Sequence, residues 1–411
     1  MRTITTASHC YRLHDHDRRF AVWPLKIVLV AAVSATTACH DDAMRTNPMA
    51  PTPPALGVSS DGTWLVNSLA DPGDGACTNS ECTLREAIAA AQSGERITFK
   101  SNLNGTIGLT GGQLLITKVL TINGPGADRL AVSGQNASRV LWIAPGPGVA
   151  ISGITITSGN ATGSEGGGIH IEDGGDLTLI GSVVIGNTAD FGGGIYARGT
   201  LTVVGSTIAA NTGGGIRSDN DLTMTRSTVS GNTASQGAGI NVDCFSDCPV
   251  IISSSTITAN AATNGGGGIF AHATNFRVFN TIIAGNRNNT LTDAAADCLE
   301  PGGIESLGYN LTAGATGCDL GDPTDVVVAT SQVFTAVLEP VLAANGSSRP
   351  THALIERGFA VDAGYCPGEA GDQRGFPRPY DDLRMPNALD ACDIGAFEWQ
   401  PADTKIKGPK P

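Results

Sequence analysis

Aromatic side chains are scarce, at 5% of a 411-residue chain that is 41% hydrophobic. That balance excludes a thick core built on large rings and leaves a thin one filled by Ile, Val, Leu and Ala. Basic residues are also few: 25 Lys and Arg stand against 38 Asp and Glu, a net charge of −13. Five of the basic and two of the acidic residues fall in the first 38, so the remainder carries 20 against 36. Nucleic acid and anionic membrane surfaces are therefore poor partners. The seven histidines support no Ser-His-Asp arrangement, and neither a Gly-His-Gly nor an Asn-Thr-Asp run occurs. The 54 glycines follow no triplet period, which excludes a collagen-like chain. No helix follows the glycine clusters, so they cradle no phosphate.

What is present is repetition. From Val149 to Asn286 the chain repeats six times, each repeat opening on an alternating apolar run at Val149, Leu177, Leu201, Leu222, Val250 or Phe276. Each then reaches an asparagine: Asn160, Asn187, Asn211, Asn232, Asn260 and Asn286, which lie 27, 24, 21, 28 and 26 residues apart. Five repeats continue into a glycine cluster followed by Ile169, Ile195, Ile216, Ile240 or Ile269. Alternation rich in β-branched residues reads as strand rather than helix. Two or three strands per repeat, with no helix between them, indicate an all-β parallel solenoid whose coils stack at roughly 4.8 Å. The isoleucines then form an interior stack and the asparagines an amide ladder along one corner. The glycines fit positions of positive φ or of close backbone approach.

The ends differ from the middle. Residues 1–38 read as an export signal, with Arg18, Arg19 and Lys26 before an apolar run at 27–35 that is too short to span a bilayer. The segment ends Thr36-Thr37-Ala38-Cys39, which resembles a bacterial lipobox and implies lipidation of Cys39 at an outer membrane or cell surface; ordinary cleavage and secretion is the alternative. Residues 39–58, with four prolines, read as a tether. Eight further cysteines form sequence-local pairs, Cys77 with Cys82, Cys244 with Cys248, Cys298 with Cys318 and Cys366 with Cys392. Disulfides in an oxidising compartment are expected. No pair has CxxC spacing, which argues against zinc.

Residues 59–399 form the predicted solenoid domain, with 400–411 a disordered tail. At its start, Thr83 and Glu86 make a capping box and Leu84, Ala87, Ile88 and Ala91 one apolar face, so a short N-terminal helix is expected to cap the first coil. Irregular coils follow at 97–143. The segment Cys82-Thr-Leu-Arg-Glu-Ala-Ile88 resembles the CSLREA motif of bacterial surface-associated β-helix proteins. The later series Asp362-Ala-Gly364, Asp372-Gln-Arg-Gly375, Arg378-Pro379 and Cys392-Asp-Ile-Gly-Ala-Phe-Glu398 is similar to the C-terminal part of choice-of-anchor proteins, where it closes the last coils. These resemblances imply a right-handed parallel β-helix of the pectate-lyase-like superfamily. Activity does not transfer with the fold.

Alternation assigns two outward columns after each interior isoleucine. One holds His170, Tyr196, Arg217, Asn241 and Phe270; the other holds Glu172, Arg198, Asp219, Asp243 and His272. Rings beside polar groups along a solenoid suit a polysaccharide, so these are the candidate glycan-binding residues. A solvated charge ladder is the plainer reading. Arg217, Asp219 and Asp243 are the catalytic candidates, because carboxylates one coil apart lie roughly 5 Å from each other, near the separation of a retaining glycosidase pair. An arginine among calcium-binding carboxylates is also what the resemblance to pectate lyases implies. Asp219, Asp221, Asp243 and Asp247 could supply calcium with oxygen ligands. The sequence thus favours a glycan- or surface-binding role that needs no cofactor, with a calcium-dependent lyase or a hydrolase as the alternative. Asp372, Arg374, Arg378, Asp393 and Glu398 are expected to pair internally.

Overall fold

The structure, a computed structural model, describes residues 62–401 and 403 apart from 245–247, 274, 290–296, 300–302, 315–317 and 319. The export segment, Cys39, the tether, Asp247 and residues 404–411 lie outside the described residues.

Three parallel sheets run the length of the molecule, with ten, eight and ten strands. One coil shows how they arise: Gly148–Ser152 belongs to the first sheet, Thr155–Thr157 to the third and Ile169–Ile171 to the second. The segments expected to be irregular join the same sheets, since Arg96–Phe99 pairs with Leu120–Asn123, and Leu114–Ile116 with Leu141–Ile143. Strand register is fixed by the interior. Ile169, Ile195, Ile216, Ile240 and Ile269 pair in succession and are fully buried. A slip of one residue would turn every one of them to the outer face.

Two buried polar ladders hold the corners. The backbone N–H groups of Asn187, Asn211, Asn232 and Asn260 each donate to the side-chain oxygen of the asparagine one coil on, at 3.0, 3.0, 3.0 and 3.1 Å. Asn160 is not in this ladder. It pairs with Thr188, so Gly159 takes the first rung and donates to Asn187 Oδ1 at 2.8 Å. The last rung is no asparagine either: Asn286 donates its backbone and amide N–H groups to Asp297 Oδ1, both at 2.8 Å. The amides need space, and the glycines provide it. A Cβ on Gly215 would lie 2.8 Å from Asn232 Nδ2, and one on Gly239 would lie 2.9 Å from Asn260 Nδ2. A second ladder runs Ser182, Ser206, Ser227, Ser255 and Thr281, each backbone N–H bonding the next hydroxyl at 3.1–3.4 Å.

Asn232→Ala removes the acceptor of both Asn211 bonds, at 3.0 and 2.9 Å, in a site closed to water. A loss of about 2–3 kcal/mol is expected. It is read as a fall in the urea midpoint at unchanged slope.

The N-terminal helix, Leu84–Ala90, has the capping box read from the sequence. Thr83 N–H donates to Glu86 Oε2 at 2.8 Å and Glu86 N–H to Thr83 Oγ1 at 3.2 Å. Leu84, Ala87 and Ile88 join the core that continues along the coils. All four cysteine pairs are disulfides.

The C-terminal segment departs from expectation. Parallel pairing stops at Val326–Val328, and the described residues of 329–403 add no further parallel coil but fold back along the outer face of the third sheet. There Thr207 Oγ1 donates to Pro350 O at 2.7 Å, Thr228 Oγ1 to Gln373 Oε1 at 2.6 Å, and Ala396 N–H to Thr256 Oγ1 at 3.1 Å. These outward threonines are consequently buried. A second apolar core, including Ile282, Leu311, Val337, Leu354 and Phe397, joins this arm to the coils. Inside the arm four of the five acids and arginines pair as expected, Arg374 with Asp372 and Arg378 with Glu398, at 2.8 Å each with all four side chains fully buried, whereas the Asp393 carboxylate accepts the backbone N–H groups of Asp362 and Trp399.

Candidate functional site

The eight-stranded sheet carries both predicted columns in register. His170 pairs with Tyr196, Tyr196 with Arg217, Arg217 with Asn241 and Asn241 with Phe270, while Asp243 pairs with His272. The sequence reading missed Trp142, which pairs with His170 and begins the first column one coil earlier.

Exposure separates the two columns. His170, Tyr196, Asn241 and Phe270 are only 3%, 6%, 8% and 8% accessible, so the first column is not the open face expected. The glycine turns explain this. A Cβ on Gly166 would stand 2.9 Å from His170 Cβ, one on Gly192 3.0 Å from Tyr196 Cα, and one on Gly265 3.2 Å from Phe270 Cδ2. The chain therefore folds directly over that column. The second column stays partly open, with side-chain accessibility from 24% at Glu172 to 52% at Arg198.

Beneath the turns the rings stack. Trp142 and His170 have centroids 4.5 Å apart, His170 and Tyr196 5.3 Å, and the Arg139 guanidinium lies 4.6 Å from the Trp142 ring. Burial, with Arg139 nearby, holds the His170 imidazole below the usual histidine range. Both its ring nitrogens lack a hydrogen-bond partner among the described residues, and Glu172 Oε1 lies 3.6 Å from Nε2. Burial and then the Asp219 carboxylate push the Tyr196 hydroxyl up; it donates to Asp219 Oδ2 at 2.6 Å.

Arg217 joins the columns. Its Nε donates to Asp219 Oδ1 at 3.0 Å and its Nη2 to Asp243 Oδ2 at 2.6 Å. Burial lowers the guanidinium pKa, but the two carboxylates outweigh it and the net shift is upward. Asp243 Oδ1 then lies 3.7 Å from His272 Nδ1, and His272 meets Phe270 edge-on at 4.9 Å. The three catalytic candidates are thus brought together, but with both carboxylates already held by one arginine. Arg217 takes one oxygen of each acid and Tyr196 the second oxygen of Asp219, while Asp243 Oδ1 has no hydrogen-bond partner among the described residues.

Asp221 stands apart from this cluster, at the start of the neighbouring sheet's strand Leu222–Thr225, with its backbone N–H on Asn220 Oδ1. Among the described residues, Asp219, Asp221 and Asp243 do not form a group with ligand atoms within 4.8 Å of one another. Two such groups do occur elsewhere: Asp74 with Glu81 and Glu86, and Asp390 with the disulfide-bonded Cys366 and Cys392.

A family model described as right handed beta helix region matches residues 74–287. Among solved structures, the crystal structure of pectate lyase Pel9A is similar at 14% identity and a TM-score of 0.48, covering 84% of this chain and 98% of that one. No curated protein matches the sequence.

Proposed function

This chain belongs to the right-handed β-helix family, and from that premise we propose that it is an exported protein, lipid-anchored through Cys39, that binds polysaccharide at a cell surface. The observation that carries the reading is the partly open row Glu172, Arg198, Asp219, Asp243 and His272. Strand stacking repeats such groups once per coil, and the Arg217 pairs hold two of them in fixed geometry. A linear glycan along the axis meets donors and acceptors in succession without reordering them, which lowers the entropic cost of binding. The four disulfides fit an extracellular protein.

A lyase or hydrolase acting on an acidic polysaccharide is the second reading. It is favoured by one observation, an arginine set between two carboxylates on the outward face. An array of acidic and neutral polysaccharides, with and without calcium, separates the two when read for both binding and absorbance of unsaturated products. Binding without turnover, weakened about fivefold to tenfold in Arg198→Ala, is expected. Absorbance that grows with calcium and vanishes in Arg217→Ala or Asp219→Ala would make the protein a lyase. Silence in both readouts would point to a structural surface component.

A further inference from the structure

The arm and the coils enclose a half-open cleft of about 680 Å³, whose lining shares no residue with the two columns. The chain has 38 acidic residues, yet among the described residues no acidic side chain lines it. Arg287 does line it, on the strand Arg287–Asn288. That guanidinium is exposed and has no carboxylate partner among the described residues. The column below Arg287 is small: it pairs with Ala261, so no bulky side chain crowds it from the preceding coil.

The opposite wall is built from the arm. Phe334 sits at a kink in the helical segment Val333–Val337 and has φ −98° and ψ 18°, outside helical values. Backbone in that bridge region is sparsely populated and marks a kink in the segment. Here it sets the ring against the coil, where Gly285 leaves the space. A Cβ on Gly285 would lie 2.8 Å from Phe334 Cζ. The ring stays half-buried at the cleft, with the hydroxyls of Thr330 and Ser331 on the same wall.

We infer that this cleft binds one terminal sugar unit bearing a carboxylate, with Arg287 on the carboxylate, Phe334 against the ring face and the hydroxyls of Thr330 and Ser331 meeting those of the sugar. The volume lies in the range of small-ligand sites and suits a chain end rather than a long glycan segment. A guanidinium matches a carboxylate with two parallel hydrogen bonds, and an aromatic face covers the apolar side of a pyranose. The inference takes its ligand class from the glycan reading above, but its site is separate.

The test is isothermal titration of the mature protein with uronic-acid-terminated trisaccharides and with their neutral counterparts. Wild type should prefer the acid-terminated forms. Arg287→Gln, an exposed change, should weaken that binding at least tenfold without altering the neutral series, and Phe334→Leu should weaken both. Arg198→Ala should leave the trisaccharides unaffected. Loss in Arg198→Ala but not in Arg287→Gln would assign the acidic sugar to the open column and overturn the cleft. Equal affinity of wild type and Arg287→Gln, or no binding of any acid-terminated form, would overturn it too. Long-polymer binding that persists in Arg287→Gln keeps the surface-binding reading distinct from either result.

Discussion

Arg378→Ala is expected to cost about 3–5 kcal/mol and to release the arm, residues 329–403, from the coils. The guanidinium is fully buried and donates in four directions: to Glu398 Oε2 at 2.8 Å, Glu369 Oε2 at 3.1 Å, Asp393 O at 3.0 Å and Gly395 O at 2.7 Å. Removing it leaves Glu398 and Asp393 as buried acids held by backbone N–H groups without a cation beside them, from Tyr380 and Asp393 to Glu398 and from Asp362 and Trp399 to Asp393. Burial already raises the pKa of both. Without the arginine they rise further, so the variant should take up protons on folding and recover part of the loss as pH falls. The measurements are urea midpoints at several pH values and hydrogen exchange along the arm. Faster exchange should also reach Thr207, Thr228 and Thr256, whose strands the arm covers. An unchanged midpoint with unchanged exchange would mean that the second apolar core holds the arm without its ion pairs.

The coil was legible because its determinants are local and periodic. An alternating run, an asparagine ten or eleven residues on and a glycine-isoleucine step define strand, corner and interior from sequence neighbours alone. The serine ladder was equally visible in principle: Ser182, Ser206, Ser227, Ser255 and Thr281 each stand five residues before a ladder asparagine. The arm was not legible, because the contacts that place it are neither periodic nor local. Gln373 meets Thr207 across 166 residues and Asn280 meets Asp393 across 113. Outward-facing threonines look solvated in any sequence, and only the fold shows what covers them. The same applies to the first candidate column. Alternation correctly pointed His170, Tyr196 and Phe270 outward, yet the variable glycine turns decide exposure, and their path is set by three-dimensional packing. The partners of Asp219 and Asp243 were readable only as neighbours, since which acid an arginine takes depends on side-chain reach across coils.

Asp297→Asn is expected to stabilise the protein above neutral pH, by on the order of 4 kcal/mol at the plateau. Asp297 ends the asparagine ladder. It accepts both N–H groups of Asn286, and burial pushes its carboxyl up to about 7 despite those bonds. The sign follows from proton uptake. Between the ordinary aspartate value of 3.8 and about 7, the folded state holds a proton that the unfolded state has lost. Stability from this site is therefore complete below pH 4, falls as pH rises through that window and is fully lost above pH 7. An asparagine keeps the acceptor oxygen and never ionises. It also adds an N–H that, by the register of Asn286 on Ile257 O, should point to Ile283 O. The difference in urea midpoint between variant and wild type should be near zero at pH 4, grow to pH 7 and then level off. Every other titrating group is common to the two proteins and cancels in that difference. A flat difference across pH would show that Asp297 is ionised in the folded state over the whole range, and that the N–H groups of Asn286 and Gly285 suffice to hold a buried charge at the end of the ladder.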